Sequence, residues 1–226
     1  MSPVTAMDAS FYGMLARTDR DELRAGARAR VYHRGYLLTV EGEPAGHVTV
    51  LLDGWAKAAF VTTGGVEAVL RLYGPGDLFG GEAILGDQAR SESVTALTSC
   101  RCLATPAARF TELLARSPGT ARAFRNVMVQ RLLAADHLVK ARLDPPHARL
   151  ARALTDLAYR FGAGAPDGTP IPVYLSQEEL ASWIGTSRVT VARMLNQLRR
   201  DGVIHTGYRN IVITDLEQLN EIARTG

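Results

Sequence analysis

Residues 119 to 143, GTARAFRNVMVQRLLAADHLVKARL, contain no proline and no glycine after their first position, and they run straight into Asp144-Pro145-Pro146. An unbroken stretch of that length predicts a helix of several turns. Proline ends it, because the ring removes a donor N–H and pushes the preceding residue out of the α region. Phe124, Met128, Leu132, Ala135, Leu138 and Val139 form an apolar seam along this helix, with charge behind it. Such a helix either packs on its own domain or pairs with its twin, and the seam predicts pairing into a homodimer.

The helix separates two regions of different texture. Ahead of it, residues 8 to 30 carry helical spacing interrupted only by Gly13 and Gly26. From residue 31 to 104 short β-rich runs (VTVLLDG, KAAFVTT, EAVLRLYG, SVTALTSCRCLAT) alternate with glycine turns, which predicts an antiparallel sandwich or roll. From Pro106 the pattern is helical again. Beyond the proline break the chain reads as a helix over 147–161, a glycine- and proline-rich loop over 162–170 and a short strand, IPVYL. Helices over 176–184 and 187–200 follow, separated by Gly185. Two β runs, VIHT and NIVIT, are joined by Gly207-Tyr208-Arg209, and a last helix starts near Asp215. Two helices around a tight glycine turn, followed by a β-hairpin, make a winged helix-turn-helix. The fold class is α+β, with domain boundaries at 8–118, 119–144 and 145–226.

A chain of 226 residues has room for two such domains. Its net charge of +3 permits a nucleic-acid partner without requiring one. Only Lys57 and Lys140 are lysines, the usage of a GC-rich genome, so abundant arginine carries little weight as evidence. Cys100 and Cys102 cannot build a disulfide framework or complete a zinc site, and read as small core residues. There is no signal peptide pattern and no apolar run long enough for a membrane span, which predicts a cytoplasmic protein. No nucleophile motif, metal cluster or phosphate-cradling GxxxxGKT loop points to an enzyme.

The informative helix is GTSRVTVARMLNQLRR, residues 185 to 200. At about 100° per residue, Val191, Met194, Leu195 and Leu198 share one arc and predict a buried face. Arg188, Val189, Ala192, Arg193, Asn196, Arg199 and Arg200 share the other, which is positive, free of carboxylate and narrow in its middle. That face suits the DNA major groove, where arginine grips guanine O6 and N7 bidentately. Thr186, Ser187 and Thr190 lie at the helix start, where hydroxyls and free N–H groups bind phosphate. Ser176 and Glu179 have capping-box spacing, and Gln177 projects from the same N-terminus as a phosphate contact.

LSQEELASWIGTSRVTVARMLNQLRRDGVI resembles the DNA-binding segment of the CRP/FNR family of bacterial transcription regulators, the cyclic-AMP receptor protein-like proteins. RGYLLTVEGEPAG, LYGPGDLFGGEAIL and RSESVTAL resemble pieces of that family's cyclic-nucleotide-binding β-roll, so the resemblance covers nearly the whole chain. It implies a homodimer on a palindromic double-stranded DNA site, with RNA polymerase as a further candidate partner. The family's Arg-Glu-x-x-x-Arg pattern becomes Arg188-Val189-Thr190-Val191-Ala192-Arg193 here. Valine cannot accept a hydrogen bond from cytosine N4, but it can touch a thymine methyl.

The resemblance also implies a ligand pocket at Gly80, Gly81, Glu82, Arg90 and Ser91, and a cyclic nucleotide as the candidate effector. In the family a glutamate takes the ribose hydroxyl and an arginine neutralises the phosphate. In the ungapped register the ribose position falls on Gly81, and restoring Glu82 shortens the loop by a residue. Glu92 adds a carboxylate beside the phosphate position, and Ala134 and Ala135 replace the pair that contacts adenine. Arg90 then either pairs with Glu82 or Glu92 or grips a different ligand. The reading is of a regulator with no certain cofactor, the alternative being a cyclic-AMP-dependent activator. An iron–sulfur sensor would need an N-terminal cysteine cluster, and His33 and His47 read as turn or surface residues rather than haem ligands.

Overall fold

The computed structural model describes residues 10–86, 88–162, 165, 167–207 and 210–225. The chain divides into two compact units, Met1–Ala134 and Ala135–Gly226. The division falls inside the long helix, ahead of the Asp144-Pro145-Pro146 break.

The first unit opens with helices α1 (Phe11–Met14) and α2 (Arg17–Ala25), and strand β1 (Arg28–Tyr32) follows. The single helix expected over 8–30 is therefore two helices and a strand, with residues 8 and 9 outside the described residues. Arg28, Ala29 and Arg30 are extended because they pair with Ala104, Leu103 and Cys102, a long-range ladder that local spacing does not reveal. Then come β2 (Leu37–Thr39), β3 (His47–Asp53), β4 (Ala56–Val61), β5 (Glu67–Tyr73), β6 (Leu78–Phe79), helix α3 (Gly81–Leu85), β7 (Ser93–Ala96) and β8 (Cys100–Pro106). They build two four-stranded antiparallel sheets, ordered β1-β8-β3-β6 and β2-β7-β4-β5.

SVTALTSCRCLAT is two strands rather than one, β7 in one sheet and β8 in the other. The chain changes sheets at Leu97-Thr98-Ser99, where Thr98 Oγ1 accepts the Trp55 N–H at 2.9 Å. Gly54 makes the crossing feasible: its φ is 89°, and a Cβ there would stand 2.1 Å from the Ser99 carbonyl oxygen. Cys100 and Cys102 point inward into the core between Leu38, Leu51, Tyr73 and Phe79. Burial pushes the Cys102 thiol up to about 12, so it packs as a small neutral side chain.

Helices α4 (Ala107–Arg116) and α5 (Pro118–Ala141) close the other side of the roll. Phe110 of α4 sits edge-on between Phe11 and Phe124, with ring centroids 6.1 and 5.5 Å away. Of the seam read from sequence, Phe124 is buried and Met128 half-buried in this core, so neither is free to meet a second chain. Leu132, Leu138 and Val139 are exposed, Leu132 by 65%.

The second unit holds α6 (Pro146–Phe161), β9 (Thr169–Ile171), α7 (Gln177–Ile184), α8 (Arg188–Arg200), β10 (Ile204–Gly207), β11 (Asn210–Ile213) and α9 (Leu216–Arg224). Leu150, Leu154, Leu180, Val191, Ile213 and Leu219 fill its core. The expected strand IPVYL is shorter and earlier: Thr169-Pro170-Ile171 pairs with β11, while Val173 and Leu175 are buried outside any strand. Tyr208 and Arg209, at the tip of the hairpin, lie outside the described residues.

Phe110→Ala is expected to cost the roll about 3–5 kcal/mol, since it opens a cavity among three aromatic rings. Urea denaturation followed by circular dichroism checks this, and a loss under about 1 kcal/mol would mean the core collapses onto the gap.

Candidate nucleic-acid interface and roll pocket

The helix-turn-helix is specified by its own caps. Ser176 Oγ accepts the Glu179 N–H at 3.1 Å, and Glu179 Oε2 accepts the Ser176 N–H at 2.8 Å, completing the expected capping box. Gly185 ends α7 in the left-handed region, φ 67°, which reverses the chain without a Cβ penalty. Ser187 caps α8, its Oγ accepting the Thr190 N–H at 3.1 Å. The Ser187 and Thr190 hydroxyls also bond each other at 2.9 Å, so the pair keeps one donor for an outside acceptor.

Arg149 of α6 ties this turn to the end of the long helix. Its guanidinium donates to the carbonyls of Arg142, Asp144 and Gly185 at 3.4, 3.2 and 3.1 Å. Arg152 adds a 2.6 Å ion pair to Asp144 and a 2.8 Å bond to the Ala223 carbonyl. Residues Arg142 and Asp144 after the long helix, the turn before α8 and the last helix thus share two arginines.

On α8 the buried arc is Val191, Leu195 and Leu198, with Met194 half-buried, as the helical period predicts. The outward arc presents Arg188, Val189 and Arg193, and Val189 is 78% exposed. Arg193 makes no hydrogen bond or ion pair among the described residues, whereas the other arginines are engaged. Arg199 donates to Asn196 Oδ1 at 2.8 Å and to Thr206 Oγ1 of the hairpin at 3.3 Å. Arg200 donates to Gln197 Oε1 at 2.5 Å. Arg188 is held from α7, its Nε lying 3.1 Å from Glu178 Oε1. Glu178 was not among the residues singled out from sequence, because a contact between helices leaves no trace in helical period. Gln177 is half-buried at the α7 N-terminus, and Thr186 half-buried in the turn.

In the roll, Gly80, Glu82, Arg90 and Ser91 line one cleft with Thr39, Ala83, Glu92 and Val94. Gly81 does not join it. It is buried at the first position of α3, where a Cβ would stand 2.6 Å from Phe124 Cε2 and 3.1 Å from Leu78 Cδ2. Glu82 faces Arg131 of α5, two turns beyond Phe124, in a 2.8 Å ion pair whose members are 31% and 15% exposed. Arg131 also donates to the Leu78 carbonyl and lies over the Tyr73 ring at 5.3 Å. Burial alone would lower its pKa; the charges of Tyr73, Glu82, Glu92 and Asp77 outweigh that and raise it.

Arg90 pairs with neither carboxylate proposed for it. Glu82 is held by Arg131, and Glu92 accepts the Tyr73 hydroxyl at 2.6 Å with Arg71 Nε 3.6 Å away. Arg90, 6% exposed, donates to the His47 carbonyl at 2.8 Å. Burial lowers its pKa, and Glu82 and Glu43 partly offset that. Gly80, φ 80°, lies so close that a Cβ would stand 2.2 Å from Arg90 Nη1. The empty space in the cleft is about 220 Å³ with its open mouth included, below the roughly 300–1,000 Å³ of small-molecule sites. No group of three or more His, Cys, Asp or Glu is placed to hold a metal ion among the described residues.

A roll ending in a long helix, with a capped helix-turn-helix and a β-hairpin beyond it, is the layout of a DNA-binding transcription regulator. The cyclic nucleotide-binding domain matches residues 29–117 and the Crp-like helix-turn-helix domain residues 148–222, one on each side of α5. The Cyclic AMP receptor protein of Thermus thermophilus is 30% identical over 94% of this chain and 95% of its own length. The CRP-like cAMP-activated global transcriptional regulator of Mycobacterium tuberculosis is 29% identical over 85% and 87%. A solved CRP/FNR-family regulator, also from Thermus thermophilus, superposes with a TM-score of 0.70 at 26% identity, covering 87% of this chain and 98% of that one. The chain belongs to the CRP/FNR family of transcription regulators.

Gly81→Glu, which writes the family's glutamate into the ungapped register, is expected to destabilise the roll by about 1–3 kcal/mol through overpacking against Phe124. It is expected to give no heat with cyclic AMP. Thermal melting and calorimetric titration check both, and a stable variant that binds cyclic AMP would overturn the steric argument.

Proposed function

We propose that this protein is a homodimeric, sequence-specific DNA-binding regulator whose DNA-bound form does not depend on a cyclic nucleotide. The observation that carries the DNA reading is the outward arc of α8, where Arg188, Val189 and Arg193 are exposed on a helix with no carboxylate of its own. A helix of this width enters the major groove, and two copies related by a twofold axis read a palindrome with half-sites about one turn apart. Arg188 and Arg193 read guanines, and Gln177, Thr186, Ser187 and Thr190 bind phosphates. Asn196 accepts from Arg199 through Oδ1 and keeps its Nδ2 donors for DNA. Val189 makes the site depart from the family's cytosine preference at the base pair it faces. Selection from random DNA tests this, and an unchanged cytosine preference opposite Val189 would count against it.

Homodimerisation has its support in an apolar stripe of α5. Leu132 and Val139 are exposed one heptad apart, and Val129 and Leu133 are exposed beside them. The first residues of the seam are already spent in the roll core, so pairing uses the second half of the helix. Leu132→Asp is expected to shift the protein toward monomer by sedimentation and to weaken DNA binding at least tenfold. A dimer that survives the change unaltered would refute the stripe's role.

Independence from cyclic nucleotide has its support in the cleft. The ribose position is a buried glycine against Phe124, and the neighbouring carboxylate is neutralised from α5. One observation favours the rival, a cyclic-AMP-dependent activator: Arg90 is a buried cation with no carboxylate within ion-pair distance among the described residues. Calorimetric titration with cyclic AMP separates the two. Micromolar binding that strengthens DNA affinity would establish the rival.

A further inference from the structure

Glu178 is out of place on a surface built to meet phosphates. It is the second residue of α7, beside Gln177, and its carboxylate would repel DNA of any sequence. The capping box is made without it, by Ser176 and Glu179, and a first-turn carboxylate at an exposed site adds only about 0.3–1 kcal/mol through the helix dipole. As a surface ion pair, its 3.1 Å contact with Arg188 joins side chains that are 61% and 67% exposed, and such pairs add little to folding. Its cost to binding is plain and its gain to stability small, so the geometry of the contact is the place to look.

The carboxylate comes closest to Arg188 at Nε, as an ion pair, and Arg188 has no other ion pair and no hydrogen bond among the described residues. The two terminal nitrogens, Nη1 and Nη2, remain free as a fork. That end-on fork is the edge that matches guanine O6 and N7. A guanidinium on a flexible stem loses rotamer freedom when it docks, and a carboxylate anchored on a neighbouring helix removes part of that loss beforehand. Position 189, the next residue along, is valine and has no acceptor with which to steer the arginine. No other carboxylate comes within ion-pair distance of Arg188 among the described residues.

We infer that Glu178 is a positioning residue for base reading: it holds Arg188 by Nε with the Nη fork presented, and its charge penalises DNA that offers no guanine in return. The inference rests on α8 being the DNA-reading helix. It makes Glu178 a specificity determinant that works through Arg188 and through repulsion of the wrong sequences, the two routes by which partners are discriminated.

The test uses the full-length protein and three duplexes: its selected site, the site with the Arg188-dependent guanine replaced, and random DNA. That guanine is the position whose discrimination Arg188→Ala abolishes. Glu178→Ala and Glu178→Gln are expected to bind random DNA several-fold more tightly while discrimination at that base pair falls about tenfold. Glu178→Asp should recover part of the discrimination. In an Arg188→Ala background, Glu178→Ala should leave discrimination unchanged, because the residue it positions is gone. Three results would overturn the inference. Tighter binding to all three duplexes with unchanged ratios would make Glu178 a bystander charge. Equal loss on all three with a lowered melting temperature would make it a structural residue. If no base pair of the selected site loses its discrimination in Arg188→Ala, the base-reading role of Arg188 and the inference fall together.

Discussion

Phe124 fixes the roll to the long helix. Its ring closes the aromatic cluster of Phe11 and Phe110 and, on its other edge, presses against the bare Cα of Gly81. Two turns later Arg131 takes the carboxylate of Glu82. Adjacent residues of α3 therefore meet one face of α5 by a steric contact and an ion pair. The close approach is what excludes a side chain at position 81, and the ion pair is what engages the Glu82 carboxylate at the wall of the cleft. Both consequences follow from where α5 lies against the roll, so the state of the pocket and the seating of the helix are a single structural fact.

The second unit has its own organising contact. Arg149 collects carbonyls from both the end of the long helix and the turn before α8. Carbonyls at a helix end and in a left-handed turn lack intrahelical partners, and one planar guanidinium with five donors satisfies three of them. The turn that sets where α8 begins is thereby tied by hydrogen bonds to the residues ahead of Pro145.

What the sequence made legible was local. Ser176 with Glu179, the turn at Gly185 and the period of Val191, Leu195 and Leu198 are each decided within a few residues. The structure reproduces them. The long helix was legible from the absence of a breaker. The failures are all long-range. Arg28 to Arg30 looked helical because nothing nearby announces pairing with residues 102 to 104. SVTALTSCRCLAT looked like one strand because the change of sheet depends on Gly54, far back in the chain. Gly80, Glu82, Arg90 and Ser91 do line one cleft, Gly81 excepted, yet their partners were misjudged. Arg131 carries no motif, and only the docking of α5 brings it to Glu82.

Arg90 has a structural role in the roll that needs no ligand. Its backbone N–H donates to the Glu43 carbonyl at 3.0 Å, and its carbonyl accepts the Gly42 N–H at 2.8 Å. Its side chain reaches across to the His47 carbonyl at 2.8 Å. The residue thus stitches the turn at 42–43 to the start of β3 from both main chain and side chain. A guanidinium stays charged at any physiological pH, so burying it for this purpose requires carboxylates close enough to offset the lost hydration. Glu82 and Glu43 supply that field without touching it. Glu82 therefore serves two cations, Arg131 by contact and Arg90 through the field. Any anion entering the cleft would add to that field at Arg90, while leaving the contact with Arg131 intact.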